Sequence, residues 1–253
     1  HLEGFGDIES VAKTKGELFQ YLTEGKSFIN SADNRINKME IYGDSITFGL
    51  TSNCDYPADL HHDENGSIIL TIDTQEVHTN SINLAFAKNI IACSAIASEL
   101  NISWEAIKDR ITTFKPPKGR CEIKTNGNIT IIDDTYNANV ESTLAAIDYL
   151  KAFSGNGKRI FVFGDMLELG HSSEEQHRII GEKCQKEELS AVFTFGNETI
   201  IVHEEINDSI LHKHFDKKET LLSSLNDIVS KGDKILVKGS RGMRMEEIVE
   251  KIT

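Results

Sequence analysis

The sequence predicts an α/β protein of two domains, and three observations carry that expectation. The chain is long and apolar enough for two cores, with 253 residues and 39% hydrophobic content. A Lys115-Pro116-Pro117-Lys118-Gly119 run breaks it near the middle. Beyond that run, short apolar strands alternate regularly with helical stretches, the pattern of a parallel sheet with helices on both faces.

The elements follow in order. Ile8, Val11, Lys15, Leu18 and Leu22 recur at spacings of three and four, which predicts an amphipathic helix over 8–22 with Lys15 inside its apolar stripe. Apolar runs at 27–30, 45–50 and 67–72 read as strands. A second helix is expected over 83–100, with Phe86, Asn89, Ile90, Cys93, Ile96, Ala97 and Leu100 on one face. A third runs from an N-cap at Ser103 to Phe114. The domain boundary is placed in the Pro-Pro-Lys-Gly run, giving domains 1–117 and 118–253. In the second, strands near 129–133, 159–163, 191–195 and 234–237 alternate with helices near 141–152, 174–188, 218–230 and 244–252. Ligands of such open sheets collect at the carboxyl ends of the strands. Three loops there are rich in polar groups: Asp133 to Asn139, Gly164-Asp165-Met166 and Lys238-Gly239-Ser240-Arg241.

Composition excludes several classes. Asp and Glu number 40 against 27 Lys and Arg, a formal charge of -13, which argues against a broad nucleic-acid or anionic-membrane surface. The four cysteines, Cys54, Cys93, Cys121 and Cys184, are widely spaced and form no metal-type pair, which fits reduced thiols in a cytoplasmic protein. No apolar run reaches the ~18 residues that span a bilayer, so no membrane insertion is expected. The chain opens on His1-Leu2-Glu3-Gly4-Phe5-Gly6 without an initiator Met, and further residues are expected upstream.

Several residues carry two readings at this stage. Asp133, Asp134, Asn137 and Asn139 are either turn formers and caps or ligand-binding groups. Lys15, on an apolar stripe, is either snorkelling to water or partly buried with a lowered pKa. Asn89 reads as a core amide bonded to backbone or as a ligand contact. Arg120, just past the break, is a solvated charge or a fork for phosphate oxygens. Lys238 and Arg241 sit between a strand end and a helix start, where backbone amides and two cations converge on an anion such as a substrate carboxylate. Two phosphate-loop look-alikes are rejected. Gly25-Lys26-Ser27 has Gln20 where the earlier glycine is required and precedes a strand, and Gly155-Asn156-Gly157-Lys158 is followed by Arg159 and joins a helix to a strand.

The string Asp133-Asp134-Thr135-Tyr136-Asn137-Ala138-Asn139, followed by Ser142, resembles the Asp-Asp-Ser-Tyr-Asn-Ala-Asn-Pro-x-Ser hallmark of the Mur ligase family, in the branch that adds D-alanyl-D-alanine to a UDP-muramoyl tripeptide. Val140 stands where that hallmark has Pro. The resemblance extends to His1-Leu2-Glu3-Gly4-Phe5-Gly6, Val11 to Glu17, Gly119-Arg120, Gly164 to Gly170 with His177, Lys238 to Arg241, and Met245-Glu246-Glu247. It implies a Rossmann-like C-terminal domain preceded by the second half of a central ATPase domain. It also implies ATP and Mg²⁺ as cofactors, with UDP-N-acetylmuramoyl-tripeptide and D-alanyl-D-alanine as substrates of a cytoplasmic, monomeric enzyme. By the same likeness, Lys15 is the lysine that becomes a carbamate for Mg²⁺ and His1 is a second magnesium ligand. Asn89 contacts adenine, although Ala85 and Phe86 replace the family's His-Asn. Arg120 meets phosphate, Asp134 the ribose, and Tyr136 and Asn137 lie beside the nucleotide. Asp165, His177, Lys238 and Arg241 fall on the acceptor side, with capping or solvation as the alternative for Asp165 and His177.

A ligase of this family also needs a Gly-rich phosphate loop, and none is present. In the family it lies upstream of the residues matching His1, so this chain is expected to lack the UDP-binding domain and half of the ATPase domain, and not to catalyse unaided. The ATP contacts on both sides of 115–119 imply closure of the last domain over the nucleotide. Rival readings are a folylpolyglutamate synthase-type or other Mur ligase and a non-catalytic nucleotide-binding protein. A dehydrogenase is disfavoured, since no Gly-x-Gly-x-x-Gly follows the first strand of the last domain.

Overall fold

The structure, a computed structural model, describes residues 2–64 and 66–253. It divides into two compact units, Leu2–Phe114 and Lys115–Thr253, so the division falls where the Pro-Pro-Lys-Gly run begins.

The first unit opens with α1 (Leu2–Phe5) and α2 (Ile8–Tyr21), the latter capped by Asp7, whose carboxylate accepts from the Ser10 amide at 2.7 Å. Strands β1 (Lys26–Asn30), β2 (Asp44–Gly49), β3 (Tyr56–His62), β4 (Ile68–Ile72) and β5 (Gln75–His78) form one sheet in that order. The first three are parallel and the last two pairings antiparallel. β3 and β5 are absent from the sequence reading because neither contains an apolar run: β3 carries Pro57, Asp59, His61 and His62, and β5 is mostly polar. β5 is created by its turn. Asp73 and Thr74 both take positive φ, 43° and 70°, and this two-residue loop folds the chain back so that Ile72 faces Gln75. Ala58, Ile68, Leu70, Ile72 and Val77 of the sheet pack against Ala87, Ile90 and Ile91 of α3 (Leu84–Glu99), with Trp104 and Ile111 of α4 (Trp104–Thr113) beside them. Ser103 caps α4 through its hydroxyl, which accepts from the Ala106 amide at 3.3 Å, as the sequence predicts.

Two helix faces differ from expectation. The stripe predicted for α2 is not its buried side: Ile8, Lys15 and Leu18 are exposed, and the residue that goes inside is Gly16, against Met39. On α3 the buried positions are Ala87, Ile90, Ile91, Ser94 and Ala95, while Asn89, Cys93, Ile96 and Leu100 are exposed. The buried side combines Ile90 and Ile91 with the small Ala87, Ser94 and Ala95, so of the predicted face Ile90 goes inside and Phe86 packs at the core's border while the rest is turned away or half-buried.

The second unit contains β6 (Glu122–Asn126), β7 (Ile129–Asp134), α5 (Val140–Ala152), β8 (Arg159–Gly164), α6 (Ser173–Lys186), β9 (Ala191–Phe195), α7 (Ile200–Glu204), β10 (Leu211–Phe215), α8 (Lys218–Ile228), β11 (Lys234–Lys238) and α9 (Glu246–Ile252). The strand order is β10-β9-β8-β11-β7-β6, parallel throughout except for the β6–β7 pair. The mixed α/β class expected from alternation is therefore the class observed. β6, β10 and α7 are additions, two of them edge strands whose polar alternation (Glu122-Ile123-Lys124, His212-Lys213-His214) carries no run of apolar residues. Successive strand residues point to opposite faces, and both faces are covered: Ile131, Val162, Phe193 and Val237 meet Leu221, Leu225 and Ile248, while Ile132, Phe161, Phe163 and Leu236 are equally buried on the other side.

At the β10 edge three histidines gather. His203 Nδ1 lies 3.0 Å from His212 Nδ1, and the His214 Nδ1 is 2.9 Å from Thr194 Oγ1. Burial lowers the His203 pKa, the charges of His212 and His214 lower it further, and Glu204 opposes them. Folding thus favours the neutral ring, and between the lowered value and the ordinary one near 6.5 the unfolded chain binds more protons. This contribution to stability is complete above about pH 6.5 and is lost as the pH falls through the folded value. The urea midpoint of the second unit is expected to drop between about pH 7 and about pH 5, and His203→Gln to flatten that drop. Identical slopes for the two proteins would exclude His203 as the source.

Candidate functional site

β11 is the last strand in sequence but lies between β7 and β8, and its register sets Lys238 opposite both Asp134 and Phe163. The carboxyl ends of these three strands, with the segment entering β6, form the polar edge of the second unit.

The entering segment is pinned to the exit of β7 by backbone. Gly119, at φ +73°, accepts through its carbonyl from the Tyr136 amide at 2.9 Å, and a Cβ there would sit 3.1 Å from that nitrogen. The Cys121 amide donates to Asp134 Oδ1 at 3.0 Å. The two aspartates of the motif then divide. Asp133 is fully buried: its Oδ1 accepts from the Thr135 hydroxyl at 2.7 Å and its Oδ2 pairs with Lys124 at 2.6 Å. Burial works against the Lys124 ammonium, yet its bond to Asp133 and the charges of Asp133 and Glu122 leave its pKa above the ordinary lysine value. Asp134 keeps an edge open, its side chain 13% exposed. Asn139 is a helix cap, its side chain accepting from the Ser142 amide at 2.8 Å while its own amide donates to Ser142 Oγ at 3.2 Å, a reciprocal capping box.

What remains turned outward is compact. Tyr136 is 49% exposed and Asn137 is exposed beside it. The Arg120 guanidinium carbon sits 3.9 Å from the centre of the Tyr136 ring, a cation–π stack on the surface. An aromatic face, a planar cation and a partly open carboxylate can take a base or sugar, phosphate oxygens and a hydroxyl, respectively.

The other motif residues are placed differently from expectation. Lys238 is 1% exposed, and its ammonium donates to Asp134 Oδ2 at 2.5 Å and to the Asn137 carbonyl at 2.9 Å, so its charge is committed inside the unit and not held out to a substrate carboxylate. Asp165 is buried and its carboxylate accepts from the amides of Asn197, Glu198 and Thr199 at 2.9, 3.1 and 2.9 Å, making it the anchor of the turn into α7. His177 is fully buried. Its Nε2 accepts from the Met166 amide at 3.1 Å and its Nδ1 lies 2.8 Å from the Ser173 carbonyl, so both nitrogens are used. Ser240, which the sequence reading named only as part of its loop, accepts through Oγ from the Leu167 amide at 2.8 Å and ties the last two loops together. Arg241 remains exposed, paired with Glu246 at 3.2 Å, and it opens a short 3₁₀ turn, with α9 starting only at Glu246. Lys124, the Asp133 partner, and the backbone amide of Cys121 are the further groups that the sequence reading missed; only a β6 strand, invisible by pattern, brings them here.

In the first unit Asn89 and Lys15 are both exposed, which corrects the core-amide reading of Asn89 and the half-buried reading of Lys15. His1 lies outside the described residues. Among the described residues no three His, Cys, Asp or Glu side chains converge as a metal cage, and an unmodified lysine side chain carries no oxygen donor for a hard metal.

With this geometry in place, the likenesses are specific. Residues 119–241 match the family model of the Mur ligase glutamate ligase domain, and residues 1–97 match that of the Mur ligase middle domain. The UDP-N-acetylmuramoyl-tripeptide–D-alanyl-D-alanine ligase of Haemophilus influenzae is 33% identical over 263 residues, covering 98% of this chain and 56% of that protein. That of Bacillus subtilis is 33% identical over 261 residues, covering 99% and 56%. The crystal structure of the MurF ligase of Thermotoga maritima in complex with ADP superposes with a TM-score of 0.85 at 28% identity, covering all of this chain and 58% of that one. The chain thus spans a little over half the length of the relatives it matches.

Asp165 offers a test of the structural assignment. Asp165→Ala leaves three backbone amides of the 197–199 turn without their acceptor, at a cost of about 2 kcal/mol or more. Chemical denaturation is expected to show that loss, and hydrogen exchange to speed up at those three amides. Unchanged exchange there would remove the anchoring role.

Proposed function

Since the chain belongs to the Mur ligase family, matching its middle-domain model over residues 1–97 and its glutamate ligase domain model over residues 119–241, we propose that it is a part of an ATP-dependent ligase, and that the whole enzyme joins D-alanyl-D-alanine to a UDP-N-acetylmuramoyl tripeptide. The observation that carries the reading is the loop from Asp133 to Asn139, held at the carboxyl ends of the central strands with Tyr136, Asn137 and the stacked Arg120 outward. An open edge of Asp134 suits a ribose hydroxyl, and Tyr136 and Asn137 lie alongside the nucleotide. Arg120 is free to turn from Tyr136 toward phosphate oxygens, where a guanidinium fork stabilises the charge that builds up in transfer. Asn89, exposed on α3, is read as an adenine contact, and Arg241 as a surface cation for the acceptor.

In the reaction proposed, a carboxylate oxygen of the tripeptide attacks the γ-phosphorus of ATP, the bond to the bridging oxygen breaks and ADP leaves. The neutral amine of D-alanyl-D-alanine then attacks the acyl carbon, loses a proton, and inorganic phosphate departs as the amide forms. Lys15, once carbamylated, and His1 are proposed as magnesium ligands; the carbamate supplies the oxygen pair that a hard cation takes. Carbon dioxide can reach Lys15, which is exposed, and the carbamate forms from the neutral amine with loss of a proton. The enzyme is proposed to work in the cytoplasm as a monomer; the four cysteines are free, and no helix among the described residues is long and apolar enough to cross a membrane.

The complete gene product that carries this chain is expected to release phosphate from ATP only when both the tripeptide nucleotide and D-alanyl-D-alanine are present. Equal turnover with glutamate and a folate would point to a folylpolyglutamate-type ligase and overturn the assignment. Lys15→Ala is expected to abolish turnover, with partial recovery on adding a small carboxylic acid; full activity in the variant would remove the carbamate.

A further inference from the structure

We infer that Lys238 is a positioning residue for the nucleotide, acting through Asp134 and Asn137, and that it does not bind the acceptor. The inference rests on the nucleotide reading of the Asp133–Asn139 loop. Lys238 closes β11 in register with Asp134 of β7, and at 1% exposure its ammonium has no path to an external carboxylate. Two of its three donors are spent on residues more than a hundred positions away in sequence, Asp134 Oδ2 at 2.5 Å and the Asn137 carbonyl at 2.9 Å. The Cys121 amide takes the other oxygen of Asp134 at 3.0 Å.

The Asp134 carboxylate is therefore fixed in plane and position from two sides, with its charge compensated and one edge open. The bond to the Asn137 carbonyl fixes the backbone that carries the exposed Tyr136 and Asn137 side chains. A single ammonium thus sets both the sugar-binding carboxylate and the loop beside it. Arg241, exposed and paired with Glu246, is a cation of this edge that, unlike Lys238, can meet an external anion.

The test separates the two ligands. In the complete gene product, Lys238→Met keeps the length and apolar stem but not the charge. Its ADP dissociation constant by calorimetry is expected to rise by roughly 10- to 100-fold, as when the outer partner of a ligand is lost, with the KM for D-alanyl-D-alanine unchanged. In an Asp134→Asn background the same substitution should add little, since the two residues act as one unit. A raised KM for D-alanyl-D-alanine with unchanged ADP affinity, or additive losses in the double variant, overturns the inference. If Lys238→Met does not fold, the ammonium resonance of Lys238 in the unaltered protein decides: it is expected to shift on adding ADP and not on adding D-alanyl-D-alanine, and the reverse pattern refutes the role. Absence of ADP binding by the unaltered protein would sink the nucleotide reading itself, whereas ADP binding that Lys238→Met leaves intact sinks only the inference.

Discussion

The Lys238 ammonium lies inside the second unit, between a carboxylate and a carbonyl that belong to a loop a hundred residues earlier in the chain. A buried cation is tolerated only when its charge is matched and its donors are occupied, so this contact cannot form by halves. It requires β11 to run between β7 and β8 in one register: a slip of one residue would turn Lys238 to the other face of the sheet. The apolar residues of β11, Ile235, Leu236 and Val237, are buried on both faces and hold that register, so the polar edge inherits its precision from the core beneath it.

The same logic explains which elements could be read from the sequence. β7, β8, β9 and β11 are covered on both sides and therefore show continuous apolar runs. α5 and α6 begin at recognisable polar turns. The elements that escaped, β3, β5, β6 and β10, are either edge strands or strands paired by a turn whose signal is backbone conformation. A strand such as Gln75-Glu76-Val77-His78 has one buried side chain, Val77, and owes its existence to Asp73 and Thr74 bending left-handed before it. The helix faces of α2 and α3 misled for a related reason. Periodicity identifies a helix, but it does not say which side is buried: on α2 it is Gly16, against Met39, and on α3 it is Ala87, Ile90, Ile91, Ser94 and Ala95.

At the candidate site the sequence singled out three polar loops and not how each polar group in them is spent. Asp133 and Asp134 are adjacent and chemically identical, yet one is closed off by Lys124 and Thr135 while the other keeps an open edge. That distinction comes from β6, which brings Lys124 alongside and was not visible. Asp165 and His177 are likewise buried and bonded within the unit, by three amides in one case and by an amide and a carbonyl in the other. A group serves a ligand only where solvent and ligand can reach it, so these two buried side chains shape loops, and the outward set contracts to Arg120, Tyr136, Asn137, part of Asp134 and Arg241.

Val140, which stands where the resembling hallmark has proline, fits this division. Proline suits the first position of a helix because the amide there has no partner within the helix and its φ is already set. With Val140 that preorganisation is gone, and the start of α5 is specified by the reciprocal bonds of Asn139 and Ser142. The loop is then held at three points that do not involve residue 140: the Tyr136 amide on the Gly119 carbonyl, the Asn137 carbonyl on Lys238, and the Asn139–Ser142 box. Because none of these anchors uses the side chain or the amide of residue 140, the substitution leaves the exposed face of Tyr136 and Asn137 where the strands put it.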